Sequence, residues 1–410
     1  MNRFRRGISR NNQKGQILVT FVVIFPVLLL FMGLALDLGF AYVTKTALSK
    51  AADAAALAAM RNINQGQSQA TAIAVSAFNV NYQSAIGTGG VQPVVNVAIS
   101  SNASNNPVVT VGATATISTF FLGILPGFNT LNVSSSAQAT RPKLIMSLVL
   151  DRSGSMNKNG GATALPPAVD NFMSYFDDST DQVAMVSFST VPSIDVTMRN
   201  NFSATIVSAI NSMTFNGSTY AEGGLLDGQS QINSVVVPSG ENVVKVAIFF
   251  TDGWANTVQT SLLCPATTTL NIGGCAPPEA AVGWCNGIGF MDPTSGNGVS
   301  CSATSFLSAL TGTTEPLTPT ATGMLNIAND AMYRSVQAAN SMRAQNIVVY
   351  SIGLGDKISQ PFLQQVANDP ASATFDSTQP VGQAVFAATA ADLQGVFQTI
   401  ASNILLRLSM

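Results

Sequence analysis

Side chains with hard oxygen ligands occur at three alternate positions of the sequence, Asp151, Ser153 and Ser155. Asp151 comes directly after the apolar run 144–150, which is typical of a buried strand. A carboxylate and two hydroxyls form a set of oxygen ligands that suits a hard divalent cation such as Mg²⁺. The sequence therefore predicts a metal site where this strand ends. The alternative is a strand-to-helix turn in which Ser153 or Ser155 only caps the next helix.

Two later stretches add candidate ligands to the same site. Thr219 lies in the turn 216–221, near the start of a predicted helix. Asp252 directly follows the apolar strand 243–251. Because the parallel strands of a doubly wound sheet end at the same edge, we expect Asp151 and Asp252 to lie along one edge. Thr219 would then supply a third hydroxyl from a loop.

These residues need a sheet that brings strand ends together, and the pattern after residue 142 predicts one. Strands and helices alternate there, and the strands are nearly continuous apolar runs. Such a pattern indicates a parallel-dominated sheet with helices on both faces, which is an α/β fold. The predicted strands are 144–151, 183–188, 243–251 and 347–352, and the predicted helices are 164–176, 202–213, 221–233, 324–344 and 391–406.

The candidate ligands resemble the metal-ion-dependent adhesion site (MIDAS) of von Willebrand factor A (vWA) domains. That motif is D-x-S-x-S, a loop threonine and a strand-terminal aspartate. The matching residues are Asp151, Ser153, Ser155, Thr219 and Asp252. The resemblance covers about residues 143–410 and departs from the family in a cysteine-bearing insertion at about 256–320. It implies a doubly wound, Rossmann-like vWA domain.

The resemblance also implies how a metal would be held. The three hydroxyls would bind the ion directly or nearly so, and the two aspartates directly or through water. Two carboxylates balance a divalent charge, and an octahedral ion held by these groups keeps one or two waters. An acidic residue of a protein partner would displace a water, so partner binding would depend on the metal. Mg²⁺ is the expected ion, with Mn²⁺ and Ca²⁺ as alternatives.

The composition excludes several classes of function. None of the 410 residues is histidine, which removes Ser-His-Asp and Cys-His sites and nearly every catalytic zinc arrangement. Charged residues make up 9% of the chain and the net charge is −2, so nothing indicates a nucleic-acid partner. No lysine lies within the metal motif to complete a site for phosphoryl hydrolysis. We therefore predict that the protein is not an enzyme.

The four cysteines fall in one short segment, at Cys264, Cys275, Cys285 and Cys301. An even number in a loop-like region predicts two disulfides, with three pairings possible. A zinc site of four thiolates is the alternative, but the spacing lacks a C-x2-C knuckle. Disulfides imply an oxidising compartment outside the cytoplasm.

The N-terminal segment has the charge pattern of a membrane anchor. Residues 1–16 are basic and contain no acid, and residues 17–36 carry no charge. A helix of that apolar length spans about 30 Å, one bilayer core. The positive-inside rule places the N-terminus in the cytoplasm and the bulk of the chain in the periplasm or outside the cell. A cleaved signal peptide is the alternative, but the long apolar run favours an uncleaved single-pass anchor.

Two regions separate this anchor from the α/β domain. Residues 37–80 are predicted to form a helical stalk whose alanine-rich face packs either on partner helices or on its own domain. Residues 81–142 contain short β-branched runs between Asn, Gly and Pro, which predicts a small antiparallel β-rich region. Within it, the apolar run 120–126 is expected to belong to the core, the alternative being an exposed patch near the membrane or a partner.

The N-terminal pattern resembles TadG-like proteins, which are associated with bacterial Flp (Tad) pilus assembly. The motifs are Gly15-Gln16 before an apolar span that contains Pro26, then Asp37-Leu38-Gly39, and then Ala51–Ala58. The resemblance covers about 50 residues. It implies a protein of the inner membrane whose N-terminal helix contacts other pilus-assembly or membrane proteins.

Taken together, the sequence predicts a membrane-anchored extracytoplasmic protein of a Flp/Tad-type pilus assembly or surface-adhesion system. Such a protein would bind a protein partner through the divalent metal of its vWA domain. The alternative is a structural assembly component in which the N-terminal helix and the β-rich region act, and the metal only stabilises the fold.

Overall fold

The computed structural model describes residues 16–63, 66–82, 92–102, 106–239, 241–264, 266–274 and 287–408. The predicted basic segment up to residue 15 and the two cysteines Cys275 and Cys285 lie outside the described residues. The chain divides into two compact units, with the boundary between Thr140 and Arg141. Each unit is described by itself.

The first unit begins with one long helix, α1 (Gln16–Arg61). An 18-residue window in its apolar part has a mean hydropathy of 2.8, and only 6% of that window is buried. Pro26 lies inside the helix without ending it. By length and composition, α1 can cross a membrane, because its backbone groups bond within the helix and its apolar side chains face outward. A second helix, α2 (Gln67–Asn81), follows after a short turn.

Three antiparallel strands complete the first unit in the order β1 (Val94–Ser101), β2 (Pro107–Ser118) and β3 (Thr130–Thr140). Two of the short β-branched runs of this region, 108–111 and 114–117, belong to the single strand β2. The ladder continues between these runs because Gly112 pairs with Ser136 of β3. From Val111 onward, alternate residues of β2 are buried, as expected for a sheet with one packed face.

The alanine-rich part of α1 packs on this sheet. Leu48, Ala51 and Ala55 are fully buried, and they share one apolar cluster with Phe78 of α2 and Val111 of β2. Small side chains let the helix backbone approach the sheet closely. Of the two alternatives for the stalk, the structure therefore shows packing on its own domain, and stalk and β-rich region share one core.

The prediction that the apolar run 120–126 belongs to the core is wrong. The run forms the tip of the hairpin between β2 and β3 and contains a short 3₁₀ helix, Leu122–Ile124. Ile124 is 77% exposed and Phe120 is 58% exposed. A hydrophobic pattern identifies side chains that avoid water, but it does not say whether protein or another apolar medium covers them.

The second unit alternates strands and helices along the chain. Its strands are β4 (Lys143–Asp151), β5 (Gln182–Phe188), β6 (Pro192–Arg199), β7 (Val243–Thr251), β8 (Thr257–Cys264), β9 (Ala266–Gly273), β10 (Gly289–Met291), β11 (Ser305–Leu307), β12 (Thr314–Pro316), β13 (Ile347–Leu354) and β14 (Ala384–Ala387). Its helices are α3 (Gly161–Met173), α4 (Ser203–Asn211), α5 (Ala221–Asn233), α6 (Ala321–Ala344), α7 (Gln360–Ala367) and α8 (Leu393–Arg407).

A six-stranded sheet in the order β14-β13-β7-β4-β5-β6 forms the centre of this unit. Its strands are parallel except for the edge strand β6. Helices α3, α4 and α8 contribute to an apolar cluster on one face, and α5, α6 and α7 contribute to a second cluster. The mixed α/β architecture that the sequence predicted is confirmed. The nearly continuous apolar strands reflect burial on both faces.

The cysteine-bearing insertion carries more regular structure than the sequence predicted. Strands β8 and β9 form a hairpin, β10 pairs with β9, and β11 pairs with β12. Val258 and Phe306 of the insertion are buried in the same cluster as α5 and α6. Cys264 and Cys301 form a disulfide across 37 residues of sequence.

A buried ion pair fixes the first strand of the second unit. Arg141 donates two hydrogen bonds to the carboxylate of Asp181, at 2.7 and 2.6 Å, and both side chains are almost completely buried. The same carboxylate accepts the N–H groups of Leu144 and Asp177 at 3.0 and 2.9 Å. One carboxylate therefore joins the start of β4 to the turn before β5.

We expect Arg141→Met to lower the free energy of unfolding by about 3–5 kcal/mol, because the Asp181 carboxylate would stay buried without its cation. Both tryptophans of the chain, Trp254 and Trp284, follow Arg141 in the sequence, and Trp254 lies in the second unit. Tryptophan fluorescence during urea unfolding of the full-length protein in detergent therefore reports on that unit. Arg199→Met, at an exposed arginine, is the matched control and should change little. Equal effects of the two changes would contradict this account.

Peptide mapping without reductant should recover a linked pair of peptides that contain Cys264 and Cys301. A bridge that closes a loop of this length contributes about 3–4 kcal/mol in the chain-entropy account, so reduction should also lower the midpoint of unfolding. Recovery of Cys264 linked to Cys275 or Cys285 would contradict the observed pairing.

Candidate metal centre

The two candidate carboxylates lie together because their strands are neighbours. Leu150 of β4 pairs with Phe250 of β7, so the two strands end at the same level. Asp151 is the last residue of β4, and Asp252 directly follows β7. Both side chains are fully buried. The apolar strands thus carry two carboxylates into the interior at one edge of the sheet, as the sequence predicted.

A chain of hydrogen bonds connects these carboxylates through the two serines. The Ser153 N–H donates to Asp151 Oδ1 at 2.8 Å, and the Ser153 and Ser155 hydroxyl oxygens are 2.9 Å apart. The Ser155 hydroxyl donates to Asp252 Oδ1 at 2.6 Å. Either serine could be the donor in the bond between the two hydroxyls. Four of the five predicted ligands therefore form one connected cluster.

The local backbone explains this arrangement. After β4 the chain enters a short 3₁₀ helix, Gly154–Asn157, with Ser153 in the extended N-cap conformation. The Ser153 side chain makes no capping hydrogen bond to that helix, although its residue type favours one. Its hydroxyl bonds Ser155 instead. The turn-only alternative, in which these serines act as caps, is thus not what the described residues show.

The loop that carries Thr219 packs directly against this segment. The Gly154 N–H donates to the Gly217 carbonyl at 3.0 Å, and the Asn216 N–H donates to the Arg152 carbonyl at 2.9 Å. Gly217 has φ +81°, and a Cβ there would lie 2.5 Å from Thr190 Oγ1, so this close approach requires glycine.

Thr219 itself is buried beside the cluster but is held by its backbone. Its N–H donates to Asn256 Oδ1 at 2.8 Å, and its carbonyl accepts the Asn256 N–H at 3.1 Å. Within the described part of the chain, no hydrogen bond joins its hydroxyl to the other four candidate ligands. The structure brings the Thr219 loop to the site and leaves the role of this hydroxyl a prediction.

Two residues that the sequence did not predict orient the carboxylates. The Thr251 hydroxyl donates to Asp151 Oδ2 at 2.6 Å, and the Asn159 side-chain amide donates to Asp252 Oδ2 at 2.9 Å. Thr251 could have been predicted, because aligning the ends of β4 and β7 places it beside Asp151. Asn159 follows the motif in an irregular segment, where no periodic pattern indicates the direction of its side chain.

The two carboxylates destabilise each other's charge. Burial raises the pKa of Asp151, and the negative charge of Asp252 raises it further, while hydrogen bonds from Ser153 and Thr251 lower it in part. The balance raises the pKa of Asp151 to about 7. Arg152 does not neutralise Asp151, because its guanidinium donates to Ser187 and to the Val191 carbonyl.

The chemistry of this cluster fits a hard divalent cation. Its side chains offer carboxylate and hydroxyl oxygens, which suit Mg²⁺, Mn²⁺ or Ca²⁺. No group of three or more His, Cys, Asp or Glu that would hold a metal occurs among the described residues, so a cation at this cluster would need the hydroxyls as well as the two carboxylates. With both carboxylates ionised, Asp151 and Asp252 would balance the charge of a divalent ion.

We expect Thr251→Val to lower the free energy of unfolding in EDTA by about 1–3 kcal/mol, because Asp151 Oδ2 loses its buried donor while the side-chain volume stays the same. Thr251→Ser keeps the hydroxyl and is the matched control. Tryptophan fluorescence during urea unfolding measures both. If the valine and serine variants are equally stable, the Thr251–Asp151 hydrogen bond does not contribute as described.

Comparison with protein families identifies two regions of the chain. Residues 15–62 match the family described as Flp pilus-assembly TadE/G-like. Residues 146–270 match the von Willebrand factor type A domain. The second match contains all five candidate metal ligands, and vWA domains commonly bind a divalent metal at the MIDAS. No curated protein sequence matches the chain.

The solved structures that match this chain are distant from it in sequence. The vWF domain of the type V pili tip protein Mfa5 from Porphyromonas gingivalis is 14% identical, with a TM-score of 0.41. The match covers 66% of this chain and 97% of that domain. The pilus adhesin SpaC from Lactobacillus rhamnosus GG is 15% identical, with a TM-score of 0.41 and coverage of 77% of this chain and 35% of SpaC.

A third structure is proximal thread matrix protein 1 from the mussel byssus with a zinc-occupied MIDAS motif. It is 15% identical, with a TM-score of 0.37 and coverage of 65% of this chain and 46% of that protein. The chain thus spans less than half the length of SpaC and of the byssus protein. From the family matches, residues 15–62 are a Tad-like region and residues 146–270 lie in a vWA domain.

Proposed function

We propose that this protein is a membrane-anchored, extracytoplasmic component of a Flp/Tad-type pilus assembly or surface-adhesion system. Its vWA domain binds a protein partner through a divalent cation, Mg²⁺. The observation that carries the proposal is the continuous hydrogen-bonded cluster from Asp151 through Ser153 and Ser155 to Asp252, inside a region that matches vWA domains.

Five residues would hold the ion: Asp151, Ser153, Ser155, Thr219 and Asp252. The bound cation supplies an open coordination position that accepts a carboxylate of the partner. Thr251 and Asn159 keep the two aspartate side chains oriented by hydrogen bonds on the outer carboxylate oxygens. Such outer partners commonly set ligand geometry and metal affinity.

The anchor is proposed from the first unit. The Tad-like region and the exposed apolar part of α1 are consistent with a single-pass membrane anchor. We place it in the inner membrane with the N-terminus in the cytoplasm, on the basic residues that precede the span. The vWA domain then lies outside the cytoplasm, where the Cys264–Cys301 disulfide is chemically stable.

A second candidate function is supported by the burial of the site. Asp151 and Asp252 are completely buried and Ser153 is 1% exposed, whereas Ser155 is partly exposed. A cation at buried carboxylates would stabilise the fold whether or not a partner contacts it. In this alternative the protein is a structural assembly component, and Tad-like α1 with the β-rich region performs its function.

We expect Mg²⁺ to raise the thermal midpoint of the full-length protein relative to EDTA, because an ion that binds only the folded state stabilises it. At a free concentration 100 times the Kd the gain is about 2.7 kcal/mol. Asp151→Ala should abolish the Mg²⁺-dependent shift. Asp195→Ala, at an exposed aspartate of β6, is the matched control and should retain it.

A wild-type protein whose melting midpoint is the same in Mg²⁺ and EDTA would contradict the metal site. Measuring pilus assembly and surface adhesion in cells that carry Asp151→Ala distinguishes the two candidate functions. The partner-binding proposal requires a loss of function that Asp195→Ala does not cause. Normal assembly and adhesion with a metal-dependent melt would support the structural alternative.

A further inference from the structure

The hairpin tip between β2 and β3 is an apolar surface that the metal site does not involve. We name residues 120–128 the apolar loop. Its nine residues, Phe-Phe-Leu-Gly-Ile-Leu-Pro-Gly-Phe, contain no charged or hydrogen-bonding side chain. The exposed side chains are Phe120 (58%), Phe121 (40%), Ile124 (77%), Leu125 (42%) and Phe128 (52%). A contiguous patch of this kind marks an interaction surface.

A single carboxylate fixes the apolar loop to α1. Asp37 accepts the backbone N–H groups of Phe120, Phe121 and Leu122 at 2.9, 3.0 and 2.7 Å, and its side chain is 2% exposed. Asp37 is the first charged residue after the apolar part of α1. The loop is therefore held at the level where the charge-free segment of the helix ends.

The loop extends from Asp37 toward the apolar part of the helix. A Cβ at Gly33 would lie 2.4 Å from the Cβ of Phe121, so Phe121 sits directly on the helix backbone there. Gly33 precedes Asp37 by about one helical turn, roughly 6 Å along the axis. On the other side of Asp37, the ring of Phe120 contacts Phe40 at a centroid distance of 5.7 Å.

Six of the eight backbone N–H groups of the apolar loop are hydrogen-bonded, and the two exceptions among these described residues are Gly123 and Gly127. Besides the three N–H groups that bond Asp37, those of Ile124, Leu125 and Phe128 donate to carbonyls within the loop, at 3.2, 2.9 and 3.2 Å. Pro126 has no N–H group. Outside water, each unsatisfied backbone donor is costly, so bonding most of its donors internally lowers the cost of moving the loop toward hydrocarbon.

The surface next to the apolar loop indicates whether lipid or protein covers the loop. The apolar loop is continuous, through Gly33 and Phe121, with the charge-free part of α1, whose side chains are exposed in the same way. Among the described residues of that part, Leu18, Phe31 and Met32 are 69%, 67% and 58% exposed. A partner protein that covers the loop would usually meet a polar rim, whereas here the apolar surface continues along the helix.

We propose that the apolar loop inserts into the bilayer that α1 crosses, near the boundary of its hydrocarbon core. The proposal rests on the membrane anchor proposed above. The first unit then contacts the membrane at two points, the helix and the hairpin tip. The second insertion point lies off the helix axis, so it restricts the tilt of the first unit against the plane of the bilayer.

Bromine-labelled lipids test this insertion directly, because brominated acyl chains quench tryptophan only where it enters the hydrocarbon. The native tryptophans are first removed by Trp254→Phe and Trp284→Phe. Ile124→Trp then places one fluorophore at the loop tip of the full-length protein. The protein is reconstituted into phosphatidylcholine vesicles with or without brominated chains.

Two further single-tryptophan variants calibrate the measurement. Leu28→Trp reports on the apolar part of α1, and Ser136→Trp reports on an exposed position of β3 away from the loop. We expect blue-shifted emission and strong quenching for Ile124→Trp and Leu28→Trp, and little change for Ser136→Trp.

Quenching at Leu28→Trp without quenching at Ile124→Trp would overturn the loop insertion and leave the anchor intact. A blue-shifted but unquenched Ile124→Trp would also overturn it, because the loop would then be covered by protein. The absence of quenching at both positions would overturn the anchor and the insertion together. Circular dichroism of each variant in the vesicles verifies that the protein is folded.

Discussion

Two buried carboxylates at one edge of a sheet are the constraint on which the vWA domain depends. Asp151 and Asp252 come together because apolar strands β4 and β7 are neighbours and end at the same level. Without compensation, like charges in the interior are costly, and the raised pKa of Asp151 expresses that cost. Thr251, Asn159 and Ser155 donate to these carboxylates and hold their orientation. The remaining charge is what a divalent cation would balance.

The first unit satisfies a buried carboxylate in a different way. Three backbone N–H groups of the hairpin tip donate to the Asp37 carboxylate and stabilise its negative charge without a metal. Those same bonds satisfy three backbone donors of the apolar loop, which lowers the cost of removing the loop from water. One acid at the end of the exposed apolar part of α1 thus positions a β hairpin relative to that helix. In the second unit, a metal proposed at two acids would position a partner.

Much of the fold could be predicted because it follows from continuous patterns. Strand β7 and helix α5 have their predicted bounds, since an unbroken apolar run and a regular helical pattern indicate them. Strands β6 and β14 and helix α7 were missed, because an edge strand with exposed polar residues and elements of four and eight residues give weak signals. The apolar run 120–126 was misassigned because hydrophobicity alone does not indicate whether the protein's own core covers a side chain.

The part of the candidate site that follows from motif spacing and from the ends of the strands could be predicted. The part that depends on the direction of a side chain in an irregular segment could not. Asp151, Ser153, Ser155 and Asp252 form the expected cluster, but no pattern indicated Asn159. The most direct test of the central claim is anomalous diffraction from crystals of the protein soaked in Mn²⁺. The account predicts one manganese peak at coordination distance from the Ser153 and Ser155 hydroxyl oxygens, between the two aspartates. An ordered site without a peak there, at saturating Mn²⁺, would contradict it.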